Sequence, residues 1–383
     1  MAENPTERNS SIELLRIVAM FLIVLHHYCV NSGLIELMDP HNLTGNTILI
    51  QFLSFGGKVG VNIFFLICGY FMIGSKMKWN KVAQLFFQIL TINIFVCLFL
   101  SSLGYRYGVR DYVEMIPFFF SMPTTFISSY LVIYILTPVI NKALSVFDRS
   151  EYRYLLIVLL GYFCIAATFL FQTTWHYMGW AFTLYCVGGY IRKYELTSLN
   201  WKFGWISLGL LAMLWGAILF FDYLAARFDF VPASFWTFAI TDANKITVFA
   251  LALALFMYFL KLRPFCCKTI NFVGGGICFG VLLWHANNDI MRRWLWTDFL
   301  GNTDWFSSDY LWLHCLLSVI GVYGVCTILE LIRQYVLEKP VFNVWNRYRA
   351  GRATCPAISD RENRSRSSDD YPENKFCKPF QLA

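Results

Sequence analysis

The sequence predicts an all-α, polytopic integral membrane protein of about ten helices with both termini in the cytoplasm, and three observations predict it. Hydrophobic residues make up 57% and charged residues 14% of the 383 positions, against about 25% charged in an ordinary soluble domain. The apolar residues gather into ten runs, most of them long enough to cross a hydrocarbon core about 30 Å thick. The basic residues between those runs fall mainly on one side, as the positive-inside rule requires of cytoplasmic loops.

The first run, Ile12 to Asn31, follows a polar arm, MAENPTERNSS, that lacks a basic n-region. No small-residue cleavage site follows the run, so it reads as a retained helix. The other runs lie near residues 56–74, 82–103, 126–146, 152–171, 176–191, 203–221, 238–260, 270–288 and 310–332. With the N-terminus inside, the cytoplasmic loops collect Lys76, Lys78 and Lys81, then Lys142, Arg149 and Arg153, then Arg192, Lys193 and Lys202, and finally Lys261, Arg263 and Lys268. The outer loops hold Arg106, Arg110, Arg227, Arg292 and Arg293. The run at 176–191 is short for a span, and residues 112–122, DYVEMIPFFFS, read as a segment that dips in without crossing. From about Asn346 the chain is charged and poor in aliphatic residues, which predicts disorder. The organisation expected is a polar cytoplasmic arm over 1–11, a membrane domain over 12–340 and a polar cytoplasmic tail over 341–383.

Composition also excludes partners. The net charge of +7 is no nucleic-acid footprint, because about a third of the Lys and Arg lie after Leu331 and most others sit in short loops. The twelve Cys are scattered through apolar segments without paired CxxC or Cys/His spacing, so they read as small core residues and no metal is expected. No inverted internal repeat of the kind found in secondary transporters is visible.

Chemistry concentrates in the first run, IELLRIVAMFLIVLHHYCVN, which buries Arg16, His26 and His27 among aliphatics. Such residues in hydrocarbon call for a reason. At about 1.5 Å and 100° per residue, the eleven residues from Arg16 to His27 cover about 16 Å with about 20° of rotation, so both share one face, while His26 is turned about 80° the other way. Arg16 at the inner edge of the core puts His27 near the midplane. A packing histidine beside a snorkelling arginine is the bland alternative. In the second run, GGKVGVNIFFLICGYFMIG, five glycines at 56, 57, 60, 69 and 74 suit close helix packing.

Taken together, the two helices resemble the acyltransferase-3 family of bacterial membrane acyltransferases. The resemblance rests on an Arg and a His separated by ten intervening residues in the first helix, followed by a GVxxFFxxSGF-like second helix. It continues in SSYLVIYILTPVINKAL, residues 128–144, and in GGGICFGVLLWHANNDIMRRWLW, residues 274–296, and spans about residues 10–340. Two departures stand out. Cys68 replaces the family's Ser, a weaker hydrogen-bonding group, and Lys76, Lys78 and Lys81 replace an Arg pair, losing the bidentate fork for phosphate.

The resemblance implies transfer of an acyl group, usually acetyl, from cytoplasmic acyl-CoA to a sugar hydroxyl of a surface polysaccharide or its lipid-linked precursor, in the cell membrane, with polysaccharide assembly proteins as conceivable partners. The residues fit that chemistry. Arg16, Lys76, Lys78 and Lys81 would attract the phosphates of acetyl-CoA, and His27 would take the acceptor's proton. Cys68, His285, Asn287 and Arg292 are further candidates for the cavity or substrate. For His285 a packing role stands beside this one, and for Asn287, Asn288, Arg292 and Arg293 so does a solvated loop. Lys58 and Lys245 are either polar sites or snorkelling side chains, and Trp294 and Trp296 suit an aromatic belt. His314 and His176 read as structural. Two other functions stay open: a transporter whose buried Arg and His line a substrate or proton path, and a catalytically idle relative that scaffolds polysaccharide assembly.

Overall fold

A computed structural model describes residues 9–39, 42–114, 126–170, 176–286 and 288–354. Among these residues all regular structure is helical, and eight helices are long and apolar enough to cross a membrane. The chain is an all-α, multi-pass membrane protein. It divides into two units, Met1–Gln334 and Tyr335–Ala383. In the first we number α1 Ser10–Val30, α2 Gly45–Leu53, α3 Gly56–Met72, α4 Trp79–Ser102 and α5 Phe126–Val146. There follow α6 Arg149–Phe169, α7 Tyr177–Lys193, α8 Phe203–Arg227 and α9 Ile246–Leu260, then α10 Lys268–Ala286 and α11 Leu311–Arg333.

Each of the ten apolar runs forms a helix, but two fall short of a full span. α7 has 17 residues and α9 has 15. The run expected over 238–260 loses its first part because it carries TDANK, residues 241–245, and polar residues at this point serve a different purpose. A π-helical turn at Gly161–Ala166 inside α6 shifts the carbonyl ladder, and the freed oxygens of that region take outside donors. Asn244 Nδ2 donates to the Phe163 carbonyl at 2.7 Å and Lys245 Nζ to the Ala167 carbonyl at 2.6 Å. Lys245 is therefore a structural anchor and does not snorkel. The expected dip at 112–122 falls mostly outside the described residues; its start belongs to a short helix, Val109–Glu114.

α3 is the central helix. It packs most extensively on α7 and α1, and glycines make the approach close. A Cβ on Gly69 would lie 2.1 Å from the Tyr185 carbonyl oxygen, and one on Gly188 would lie 2.3 Å from that of Leu66. Gly74 has another use: its φ of 73° ends the helix in a turn. α10 completes the core against α1 and α11.

Loop hydrogen bonds show that the lysine-rich loops share one end of the bundle with the start of α1. Ser10 donates its N–H to the Phe265 carbonyl at 2.9 Å, and its hydroxyl reaches Asn271 Oδ1 at 2.8 Å. Asn141 Nδ2 holds the Met72 carbonyl at 2.8 Å, Lys193 Nζ holds those of Leu144 and Phe147 at 2.9 Å each, and Lys261 Nζ holds that of Leu199. At the other end Asn46 donates to the Phe306 and Ser308 carbonyls at 2.8 and 2.9 Å, and Asn302 Nδ2 to that of Tyr28 at 3.1 Å. The alternation of loops expected from charge is the alternation found.

The second unit differs from the sequence expectation at its start. Instead of lacking structure from residue 341, it forms a helix, α12, over Lys339–Thr354, where Val341, Phe342, Val344 and Trp345 still supply apolar residues. The remainder of the tail lies outside the described residues.

Candidate functional site

α1 places its two histidines in its last turn and a half. His27 is seventeen residues, about 26 Å, from the first residue of the helix, so it stands nearer the end opposite the lysine-rich loops than halfway along.

Beside these histidines lies a cavity of about 320 Å³. It is lined by Ile23, His26 and His27 from α1, Gly57, Lys58 and Val61 from α3, Phe126 and Ile127 from α5, Tyr177 from α7, Asp242 and Ala243 before α9, Leu282 and Ala286 from α10, and Arg292. The polar groups converge from separate parts of the chain, and the apolar ones close the walls between them.

His285, fully buried on α10, approaches from behind. Its Nε2 is 3.0 Å from His27 Nδ1, and its own Nδ1 is 2.6 Å from the Val281 carbonyl oxygen. A carbonyl can only accept, so Nδ1 of His285 carries the proton and Nε2 carries the lone pair. That lone pair accepts from His27 Nδ1–H. The neutral pair therefore leaves His27 Nε2 with a lone pair of its own. Trp296 stands edge-on to His285, with ring centres 6.4 Å apart, and edge-on to Tyr28 at 6.0 Å. It is wholly buried, which overturns its reading as a belt residue and makes it part of the packing that fixes His285.

His26 is held separately. Its Nδ1 meets the Ser54 carbonyl, and its ring rests on Gly57, where a Cβ would come within 2.6 Å of it. Although helical rotation separates His26 from His27, both rings reach the cavity because their centres are only 5.6 Å apart. Lys58 turns inward. Its Nζ donates to the carbonyl of Ile240 at 2.7 Å and to that of Thr241, leaving one ammonium hydrogen for another partner. Arg292 lines the cavity while paired with Asp289.

Among the other residues proposed from the sequence, Arg16 is not in this cavity's lining. It pairs with the buried carboxylate of Glu13 and lies over the Phe71 ring, 5.9 Å from its centre. Phe71 belongs to the end of α3, just before the loop carrying Lys76 and Lys78 and the start of α4 with Lys81, all three exposed. Arg16, with Glu13 and Phe71, and His27, with His285, thus stand at two stations about 16 Å apart along α1. Cys68 lies on α3 one turn before Phe71, over whose ring Arg16 rests. Asn287 lies outside the described residues. His314 is structural, its Nδ1 2.8 Å from the Tyr28 hydroxyl and its ring stacked on Trp305.

Glu13, Asp242 and Tyr177 were not singled out by sequence reasoning. Glu13 and Asp242 each had a signal, an acidic residue inside an apolar run; Tyr177, one aromatic among many, had none. Among the described residues no group of three or more His, Cys, Asp or Glu side chains is placed to hold a metal ion.

The model of a protein family described as an acyltransferase domain matches residues 9–331. No curated protein and no solved structure matches the chain.

Proposed function

We propose that this chain, which belongs to the acyltransferase-3 family, moves an acyl group, acetyl by preference, from cytoplasmic acyl-CoA to a hydroxyl of a cell-surface or exported polysaccharide or its lipid-linked precursor. The setting proposed is the cytoplasmic membrane of a bacterium. The observation that carries the reading is the His27–His285–Val281 chain of hydrogen bonds, which leaves a basic nitrogen at the edge of a polar cavity.

In this reading the acceptor O–H lies against His27 Nε2. An alcohol is a weak nucleophile near neutral pH and needs a base as it reacts. Its proton passes to Nε2 as its oxygen attacks the thioester carbonyl, and the charge so formed on His27 is shared with His285. The carbonyl oxygen becomes an oxyanion, for which the remaining hydrogen of Lys58 and the guanidinium of Arg292 are the cationic donors at hand. Collapse restores the carbonyl, breaks the C–S bond and returns the proton from His27 to the departing thiolate. The products are the ester and free CoA.

The donor enters from the lysine-rich end. Arg16, Lys76, Lys78 and Lys81 take its phosphates, and an extended arm such as that of CoA spans the distance to His27. Glu13 supports this arrangement by holding one edge of the Arg16 guanidinium, whose other donors are available to phosphate.

The test is acetyl-CoA consumption in isolated membranes containing the chain, followed as release of free thiol with the acceptor polysaccharide present. The unaltered chain is expected to release CoA, and the His27→Ala chain at the same membrane abundance to fall by about 10²–10⁴-fold, the usual contribution of a general base. Near-normal release by His27→Ala would remove the base from this account.

A further inference from the structure

A second, larger cavity of about 850 Å³ shares α1 and α3 with the first. Where Ile23, His26 and Gly57 face the histidine cavity, their neighbours Leu22, Leu25 and Gly56 face this one. α2 adds Phe52 and Leu53, and α8 and α9 supply most of the remaining wall, with Leu211, Trp215, Leu251 and Leu255 among its apolar residues. Its polar lining is concentrated at one end, where Lys202, Lys261 and the exposed rings of Trp201 and Trp205 gather.

The dimensions say what fits. Lining residues run from Phe203 to Trp215 on α8 and from Leu251 past the end of α9 to Leu262, or about 17 Å where helical. One leaflet of a hydrocarbon core about 30 Å thick is about 15 Å deep. The cationic end belongs to the lysine-rich face, which the positive-inside rule assigns to the cytoplasm, and tryptophans at that level suit the lipid headgroup region. Lys261 uses one ammonium hydrogen on the Leu199 carbonyl and keeps two; Lys202 is exposed beside it.

We propose that this groove is a binding site for an anionic phospholipid of the inner leaflet, its acyl chain laid between α1, α3, α8 and α9 and its phosphate between Lys202 and Lys261. A lipid in this position backs the seam that carries His26 and Gly57, on the side away from the reacting groups. Binding at this site does not depend on the acyl-transfer reading, and its test reads lipid rather than activity.

The purified full chain in detergent is mixed with phosphatidylglycerol or with phosphatidylcholine of the same acyl chains, and bound lipid is counted by native mass spectrometry. One phosphatidylglycerol per chain is expected to be retained about thirtyfold more strongly than phosphatidylcholine, each lysine near a membrane surface contributing about a factor of five. The double change Lys202→Glu and Lys261→Glu, both at exposed positions, should abolish the preference while the elution volume stays that of the unaltered chain. Leu255→Trp, which fills the groove, should remove retention of both lipids while the elution volume stays that of the unaltered chain. Equal retention of the two lipids, an unchanged preference in the lysine variant, or unchanged retention in Leu255→Trp would overturn the proposal. So would a dimer that Leu255→Trp splits, which would assign the groove to a second copy of the chain.

Discussion

His27 and His285 face each other from two helices, and the carbonyl of Val281 decides which nitrogen holds which proton. That makes His285 a positioning residue whose loss is distinguishable from loss of the base. His285→Phe keeps a ring of similar size but removes the acceptor for His27 Nδ1–H, a bond that becomes charge-assisted when His27 is protonated. Such bonds are worth about 1.5–3 kcal/mol, so the rate of CoA release should fall by about 10–150-fold, while apparent affinity for acetyl-CoA, measured at the other end of α1, stays unchanged. A fall in that affinity with an unchanged maximal rate would contradict the assignment. Gly57→Ala tests the neighbouring histidine: the new Cβ would meet the His26 ring at 2.6 Å, and displacing that ring into the cavity should lower activity without loss of membrane abundance, both read on the same membranes. The sequence displayed Arg16, His27 and His285 as oddities in apolar runs. It did not display their division into two stations, because His285 reaches His27, and Asp242 the cavity beside Lys58, only through tertiary contacts; the Glu13–Arg16 pair is local, one helical turn apart.

At the scale of elements, the glycines divide into those that hold helices together and those that do not. Gly69 and Gly188 meet backbone atoms of the opposite helix, which cannot swing aside as a side chain can. Gly69→Ala or Gly188→Ala should therefore force α3 and α7 apart, costing at least the 1–3 kcal/mol typical of overpacking, and lower the temperature at which the detergent-solubilised chain loses its monodisperse elution peak. Gly209 and Gly216 on α8 have nothing within 4 Å of an added Cβ. Alanine there should leave that temperature unchanged or raise it, since glycine inside a helix is about 0.5–1 kcal/mol less favourable than alanine. Hydropathy revealed every one of the ten helices. It could not reveal the early start of α1 or the late start of α9, because Asn9 caps the first with a side-chain hydrogen bond to the Ser11 N–H and the second is delayed by residues that answer a π-helical turn in α6. Glu330, fully buried, carried the same signal as Glu13, an acidic residue inside an apolar run, but its partners are set by packing: it accepts from Arg333 at 2.7 and 2.9 Å and from Gln88, Gln334 and Trp284. Glu330→Ala breaks the buried Arg333–Glu330 ion pair, a loss of about 3–5 kcal/mol, and should cut the yield of folded protein.

For the whole molecule the decisive question is what crosses it. A transporter and a transferase can share buried Arg and His, but they differ in connectivity: the cationic station around Arg16 and the histidine station are served by opposite ends of the bundle, and only a donor long enough to reach from one to the other makes them a single site. The orientation this requires is testable through Cys266, exposed in the loop between Arg263 and Lys268. A membrane-impermeant maleimide should label it in inside-out vesicles and leave it unlabelled in intact cells, with Cys266→Ser giving the background from the other thiols. With orientation known, inside-out vesicles presenting the lysine-rich face to the medium should consume externally added acetyl-CoA in proportion to the polysaccharide acceptor supplied and release one CoA for each acyl group gained by it. A transporter would move its substrate without thioester loss, and an idle scaffold would do neither. Cleavage of thioester that continued at the same rate in the His27→Ala chain would remove His27 as the base, and its loss only when Gly57→Ala is added would assign that role to His26, on whose ring the new Cβ acts directly.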